Sequence, residues 1–392
     1  MVPLKKRKFI KENFKLLVMA LSHFTNDVHG SFLPTFVPLI VESLGITYAQ
    51  AGLLKSISGG MHVVIQPLAG YISDLFSRPY ALIAGPLLTA LGASMLPLSP
   101  TYGLAILFVG LQSMGSAVYH PLGHGGVGHI VPPGKLASSL AIFAVGGILG
   151  STVSSLYAIS LYELFGPSVL MPLGAMVPVA FVSYLTWKAI PKLAINNSKN
   201  KPSPMDFIKT MGKTLKKIFP IWGVSISRDT TIQGIRFFLP LLIAAKGGSL
   251  VDIGTILFII SIIGTLSPMI GGKLADELGE KKVIAAGMTL APLFLLPGAF
   301  SQGFLSISLY MIGIALLQAL LPVTGAAAQK KAPESRSVVA SLVTGVAFGL
   351  GGVLIAPLGV MADSLGLETT LSFIALLPWF PMPLFFLRWK NI

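Results

Sequence analysis

Apolar runs long enough to cross a bilayer follow one another along this chain, separated by short breaks of Gly, Pro and polar residues. A spanning helix takes about 20 mostly apolar residues. On that rule the pattern predicts twelve spans: 14–40, 49–73, 79–97, 102–124, 135–162 and 168–189, then 218–245, 250–273, 282–300, 304–329, 336–361 and 368–387. The expected fold class is an all-α membrane protein with twelve transmembrane helices in two six-helix halves. The halves are 1–190 and 218–392, joined by a cytoplasmic basic linker over 191–217.

The first span breaks its own apolar pattern. His23, Asn26, Asp27 and Gly30 fall at i, i+3, i+4 and i+7, one face of one helix. An ionised carboxylate at membrane depth costs about 3 kcal/mol on insertion scales, so such a residue faces a bundle interior or a wet cavity. Two readings follow: a transport path with Asp27 as proton carrier, or a protonated Asp27 that only holds helices together. His23 lies one turn away, and imidazole exchanges protons near neutral pH.

Composition and charge narrow the class. Only 11% of the 392 residues are charged and 53% are hydrophobic, against about 25% charged in soluble domains. No cysteine is present, which removes disulfides, thiolate metal sites and cysteine nucleophiles. The net charge of +14 sits at the N-terminus, in alternate loops and in the linker, while the outer loops hold little beyond Lys246. That asymmetry is the positive-inside pattern. It places the protein in the inner (plasma) membrane with both termini cytoplasmic, and nucleic-acid binding is not needed to explain the basic excess. Anionic membrane lipids are natural partners of the basic segments.

Two sequence echoes mark an internal duplication. Gly70, Asp74 and Arg78 after the second span are matched by Gly272, Asp276, Lys281 and Lys282 after the eighth, and FAVGGILGS from Phe143 is matched by FGLGGVLIAP from Phe348. The paired loops resemble the signature G-x-x-x-D-x-x-G-x-[RK]-[RK] of the major facilitator superfamily. The second copy is nearly complete; the first lacks the inner Gly and keeps one basic residue. The resemblance implies a conformational latch on the cytoplasmic side. A narrower resemblance rests on His23-x-x-Asn26-Asp27, Gln66-Pro67 with Gly70 and Asp74, Gly115-Ser116-x-Val118-Tyr119-His120-Pro121 and Val145-Gly146-Gly147. These are similar to the fosmidomycin-resistance family of drug efflux proteins. Leu122 stands where that family tends to carry an acid, so that acid's role does not transfer. The resemblance implies proton-coupled export of a small molecule by an antiporter.

In that superfamily the first, fourth, seventh and tenth helices line the cavity. Candidate proton-coupling residues are Asp27, His23 and Asp229. Candidate substrate-binding residues are Asn26, His62, Gln66, Gln112, Tyr119, His120, Arg228, Gln233, Arg236 and Gln318. Arg236 suits a phosphate, phosphonate or carboxylate, which a guanidinium grips through two donors at once, while Asp229 and an arginine form a packing pair on the alternative reading. No P-loop, nucleophile elbow or HExxH is present, so an intramembrane enzyme is disfavoured and energy comes from a gradient. The expected function is a monomeric proton-coupled secondary transporter that exports a drug-like or small anionic molecule and has no cofactor and no resident metal. The alternative is an organic-anion, metallophore or metal-ion transporter.

Overall fold

A computed structural model describes residues 4–73, 80–131, 136–190 and 203–389, and among these every regular element is helical. Asp74, Arg78, Lys135 and the 191–202 part of the linker lie outside the described residues. Nine helical stretches among the described residues are long and apolar enough to span a membrane by length and composition. The remaining three predicted spans fall on helices whose apolar runs are interrupted by polar residues: α1 (Leu4–Gly30) with α2 (Leu33–Leu44), α3 (Tyr48–Ser73), and α8 (Pro204–Ala245).

The chain divides into two compact units, one of residues 1–44 with 64–197 and one of 45–63 with 198–392. The first half of α3 therefore belongs to the second unit. The first unit also holds α4 (Tyr80–Met95), α5 (Tyr102–Ile130), α6 (Leu136–Phe165) and α7 (Leu170–Ala189). In it, α1 packs along α6 through glycines: a Cβ at Gly146 would stand 2.1 Å from the Ala20 carbonyl oxygen, and one at Gly150 2.4 Å from that of Phe24. Small residues allow this close backbone approach, which drives helix association where lipid offers no hydrophobic contrast.

The second unit contains α8, α9 (Leu250–Leu278), α10 (Glu280–Phe300), α11 (Gly303–Gln318), α12 (Leu320–Lys331), α13 (Arg336–Ala340), α14 (Ala347–Val353), α15 (Ile355–Leu365), α16 (Leu367–Leu376) and α17 (Met382–Trp389). Several predicted spans are single in pattern but broken in backbone. Proline cannot donate to the carbonyl four residues back, and its ring clashes with it. Pro34 thus separates α1 from α2, Pro322 separates α11 from α12, and Pro357 follows the break at Leu354. The α11–α12 break is packed: a Cβ at Gly271 would meet the Ala319 carbonyl oxygen at 1.9 Å. Between α13 and α14, Ser341–Val346 winds as a π-helix, and Trp222 Nε1 donates to the Leu342 carbonyl at 3.0 Å. The start of α3 is capped by Asp363, whose two carboxylate oxygens accept from the amides of Tyr48 (2.8 Å) and Ala49 (2.9 Å).

Candidate functional site

The polar face of α1 is the centre of a network confined to the first unit. His23 stacks on Phe143 of α6 with ring centroids 4.1 Å apart, and its Nδ1 donates to the Phe143 carbonyl at 2.8 Å. That bond fixes the proton on Nδ1 and turns Nε2 toward Asp27 Oδ2 at 3.2 Å, an ion-pair contact off the line of an ideal hydrogen bond. One proton added to Nε2 or to the carboxyl would turn this contact into a charge-assisted hydrogen bond.

The other carboxylate oxygen is equally engaged. Oδ1 accepts from Asn26 Nδ2 at 2.8 Å and lies 3.6 Å from His120 Nε2 of α5. Asn26 Oδ1 accepts from the Thr89 hydroxyl at 3.1 Å, which sets the amide so that its NH₂ faces Asp27. Ser116 Oγ lies 3.3 Å from His120 Nε2. His120 sits edge-on to His23 at 5.3 Å, and Tyr119 lies 5.9 Å from His23. Gly147 floors the pair. A Cβ there would come within 2.5 Å of His23 Nε2 and 2.6 Å of Asp27 Oδ2. Gln112 is committed elsewhere, donating to the His29 carbonyl at 3.0 Å, and Gln66 is half-buried on α3. Donor atoms of His23, Asp27 and His120 lie within 4.8 Å of one another, close enough to converge on one ion.

The remaining predicted residues lie in the second unit. Arg228 and Asp229 form a bidentate pair, Nε to Oδ1 at 2.8 Å and Nη2 to Oδ2 at 3.0 Å, and Arg228 Nη1 donates to Thr324 at 2.8 Å. Arg228 is fully buried, so it does not reach a membrane surface, and Asp229 pairs with it rather than with Arg236. Gln233 donates to the Phe348 carbonyl at 2.8 Å, and Arg236 Nη2 donates to Ser261 Oγ at 2.7 Å. The His62 ring lies 6.0 Å from that of Phe348, and Gln318 packs into the flat face left by Gly264.

Of the loop residues, Gly70 lies on α3, and Gly272 and Asp276 lie in the last turns of α9. Lys281 and Lys282 open α10. Ion pairs there join Glu280 to Lys330 and, at 4.0 Å, Lys273 to Glu277, none of them singled out by the sequence motif. Thr89, Phe143 and Lys55 were equally missed. Lys55 carried a legible signal, a lysine inside the apolar second span. Phe143 contributes through its carbonyl, which no side-chain pattern encodes.

Apolar helices of spanning length with polar networks between them define a multi-pass membrane protein. The Major Facilitator Superfamily model matches residues 17–357, and the chain belongs to that family. It is similar to the MFS-type transporter YfnC of Bacillus subtilis, 28% identical and covering 93% of this chain and 90% of the relative. It is also similar to the fosmidomycin resistance protein of Escherichia coli, 27% identical and covering 94% and 91%. Among solved structures, the nucleoside transporter NupG superposes with a TM-score of 0.75 at 15% identity, covering 95% of this chain and 99% of that one. A bacterial homologue of the human lysosomal transporter Spinster gives 0.74 at 15% identity, covering 96% of each. The fold is thus of the twelve-helix major facilitator type, and a small-molecule substrate follows from the family.

Proposed function

We propose that the protein is a proton-coupled secondary transporter that works by alternating access and exports a drug-like or small anionic molecule across the inner membrane, with both termini cytoplasmic. The observation that carries this reading is the approach of His23 Nε2 to Asp27 Oδ2, a contact at which one proton can be held. The two atoms lie 3.2 Å apart inside a span, and His120 Nε2 lies 3.6 Å from the other carboxylate oxygen, in place to act as a second acceptor. Loss of that proton leaves an anion in a poorly solvated site, which favours a conformation that opens it to water. The names of two relatives, the fosmidomycin resistance protein and the multidrug resistance protein MdtG, support the direction of transport.

The test is uphill flux of fosmidomycin in sealed proteoliposomes under an imposed pH gradient. Wild type accumulates it; Asp27→Asn loses accumulation yet keeps downhill exchange. Full accumulation by Asp27→Asn removes the carboxylate from coupling. A second reading, a divalent transition-metal substrate, is favoured by the convergence of the three donors within 4.8 Å. Calorimetric titration with Zn²⁺ separates the two: metal transport needs saturable binding that His120→Ala abolishes.

A further inference from the structure

Two cations inside the second unit have no anion to answer them. Lys55 stands mid-way along the α3 segment that packs on α14, and its ammonium lies 5.6 Å from the centroid of the Phe348 ring. Arg236 stands one turn beyond Gln233 on α8, and Gln233 donates to the carbonyl of the same Phe348 at 2.8 Å. One guanidinium nitrogen of Arg236 donates to Ser261, whose own hydroxyl donates to the Leu257 carbonyl at 2.7 Å. Among the described residues no carboxylate lies within ion-pair distance of Lys55 or Arg236. Asp229 is taken by Arg228, Asp363 by the start of α3, Glu368 by Lys246 and Glu280 by Lys330.

Placement of the two charges is enforced by backbone. A Cβ at Gly59, one turn beyond Lys55, would stand 2.4 Å from the Gly349 carbonyl oxygen and 2.7 Å from the Val353 amide nitrogen. Ser56 reinforces the crossing, donating to the Val353 carbonyl at 2.7 Å and accepting from the Ala356 amide at 2.9 Å. The π turn at Ser341–Val346 runs directly into α14, whose second residue is Phe348. Gln233, one turn before Arg236, is buried at 6% exposure. Its NH₂ is spent on the Phe348 carbonyl, and its Oε1 has no partner. Two like charges at membrane depth, with an unsatisfied buried acceptor beside them, destabilise the empty protein. Such an arrangement persists where a ligand supplies the missing charge.

We propose that Lys55 and Arg236 are the two arms of an anion site that takes the doubly charged phosphate or phosphonate head of a small molecule, with Gln233 Oε1 accepting from a hydroxyl of that ligand. A tetrahedral head offers three oxygens in different directions, so a planar fork and a point charge on separate helices can each bind one edge of it. A single carboxylate offers one edge and one charge. This inference rests on the transport reading, because the anion is taken to be the transported molecule.

The test uses the full chain, purified in detergent free of phospholipid, with methylphosphonate as probe and acetate as the single-charge control. Binding is read by calorimetry and by thermal shift. Wild type is expected to bind methylphosphonate saturably and acetate not at all. Lys55→Gln and Arg236→Gln are each expected to lose about tenfold or more in affinity, the loss of one charge-assisted contact, while Lys55→Arg recovers most of it. The ligand-free melting temperature of Lys55→Gln should hold or rise, since a repulsion is removed; a fall would mark Lys55 as a packing residue and overturn the proposal. Equal binding by wild type and both variants also overturns it. Nanodiscs of phosphatidic acid against phosphatidylcholine separate the two sources of phosphate. Stabilisation by phosphatidic acid with no response to methylphosphonate would assign the site to lipid and sink the substrate claim. Failure of proton coupling is visible apart from this, as absent pH-driven accumulation in a wild type that still binds methylphosphonate.

Discussion

Gly147 shows how tightly the proton pair is built. A methyl there would stand 2.5 Å from His23 Nε2 and 2.6 Å from Asp27 Oδ2, well inside ordinary van der Waals contact, and neither group can retreat without disturbing its other bonds. Overpacking costs about 1–3 kcal/mol, partly offset by about 1 kcal/mol of helix propensity gained over Gly. Gly147→Ala is therefore expected to melt within a few degrees of wild type while losing most pH-driven accumulation. Both are measurable on one purified sample, and a variant with intact accumulation would show that the pair tolerates displacement. The buried Arg228–Asp229 pair makes the opposite prediction, a large cost in stability. Removing one partner strands a charge and costs about 3–5 kcal/mol, whereas replacing both with apolar residues costs much less. Arg228→Met should thus melt below the double variant Arg228→Met with Asp229→Leu. The reverse order would show that the pair does not act as a unit. Sequence spacing identified Asp229 and both arginines and offered a packing pair as one reading, but not which arginine forms it, because adjacent residues in a helix point away from each other at Cβ and meet only through the long Arg228 side chain bending back.

At the scale of elements, the apolar pattern located the spans because length and hydrophobicity are what a bilayer selects. It did not foresee that the spans at 14–40, 304–329 and 336–361 are each broken into shorter helices. The prolines were legible, but a membrane helix tolerates proline when neighbours re-satisfy the freed groups, so the residue alone does not announce a break. Nor did it foresee which glycines are crossings. Gly59 and Gly60 look alike in sequence, yet a Cβ at Gly59 meets backbone at 2.4 Å while one at Gly60 meets nothing within 4 Å. Backbone cannot rotate aside as a side chain can. Gly59→Ala is expected to lower the melting temperature by several degrees, at about 1–3 kcal/mol of overpacking, and Gly60→Ala to leave it level or raise it slightly. Equal behaviour would dissolve the close crossing of α3 on α14.

At the scale of the whole molecule, charge sets orientation, and the structure sharpens that argument. Lys246 is the one lysine in the segments assigned outside, and it pairs with Glu368 at 2.6 Å. On the side assigned inside, Lys217 pairs with Glu334 at 2.5 Å and Lys330 with Glu280, yet the linker lysines, Lys281 and Lys282 stand in excess. Only Lys and Arg in short loops weigh in the orientation rule, and acids contribute little. On the proposed topology, that excess is what would direct these loops to the cytoplasm, even where carboxylates accompany them. The chain carries no cysteine, so single-cysteine variants report without background. Gln302→Cys, at an exposed position between α10 and α11, should react with a membrane-impermeant maleimide added to intact cells. Glu277→Cys, exposed at the end of α9, should react only after permeabilisation. Reversal of the two labels would invert the proposed topology, and with it the side from which a proton would reach Asp27 in the proposed cycle.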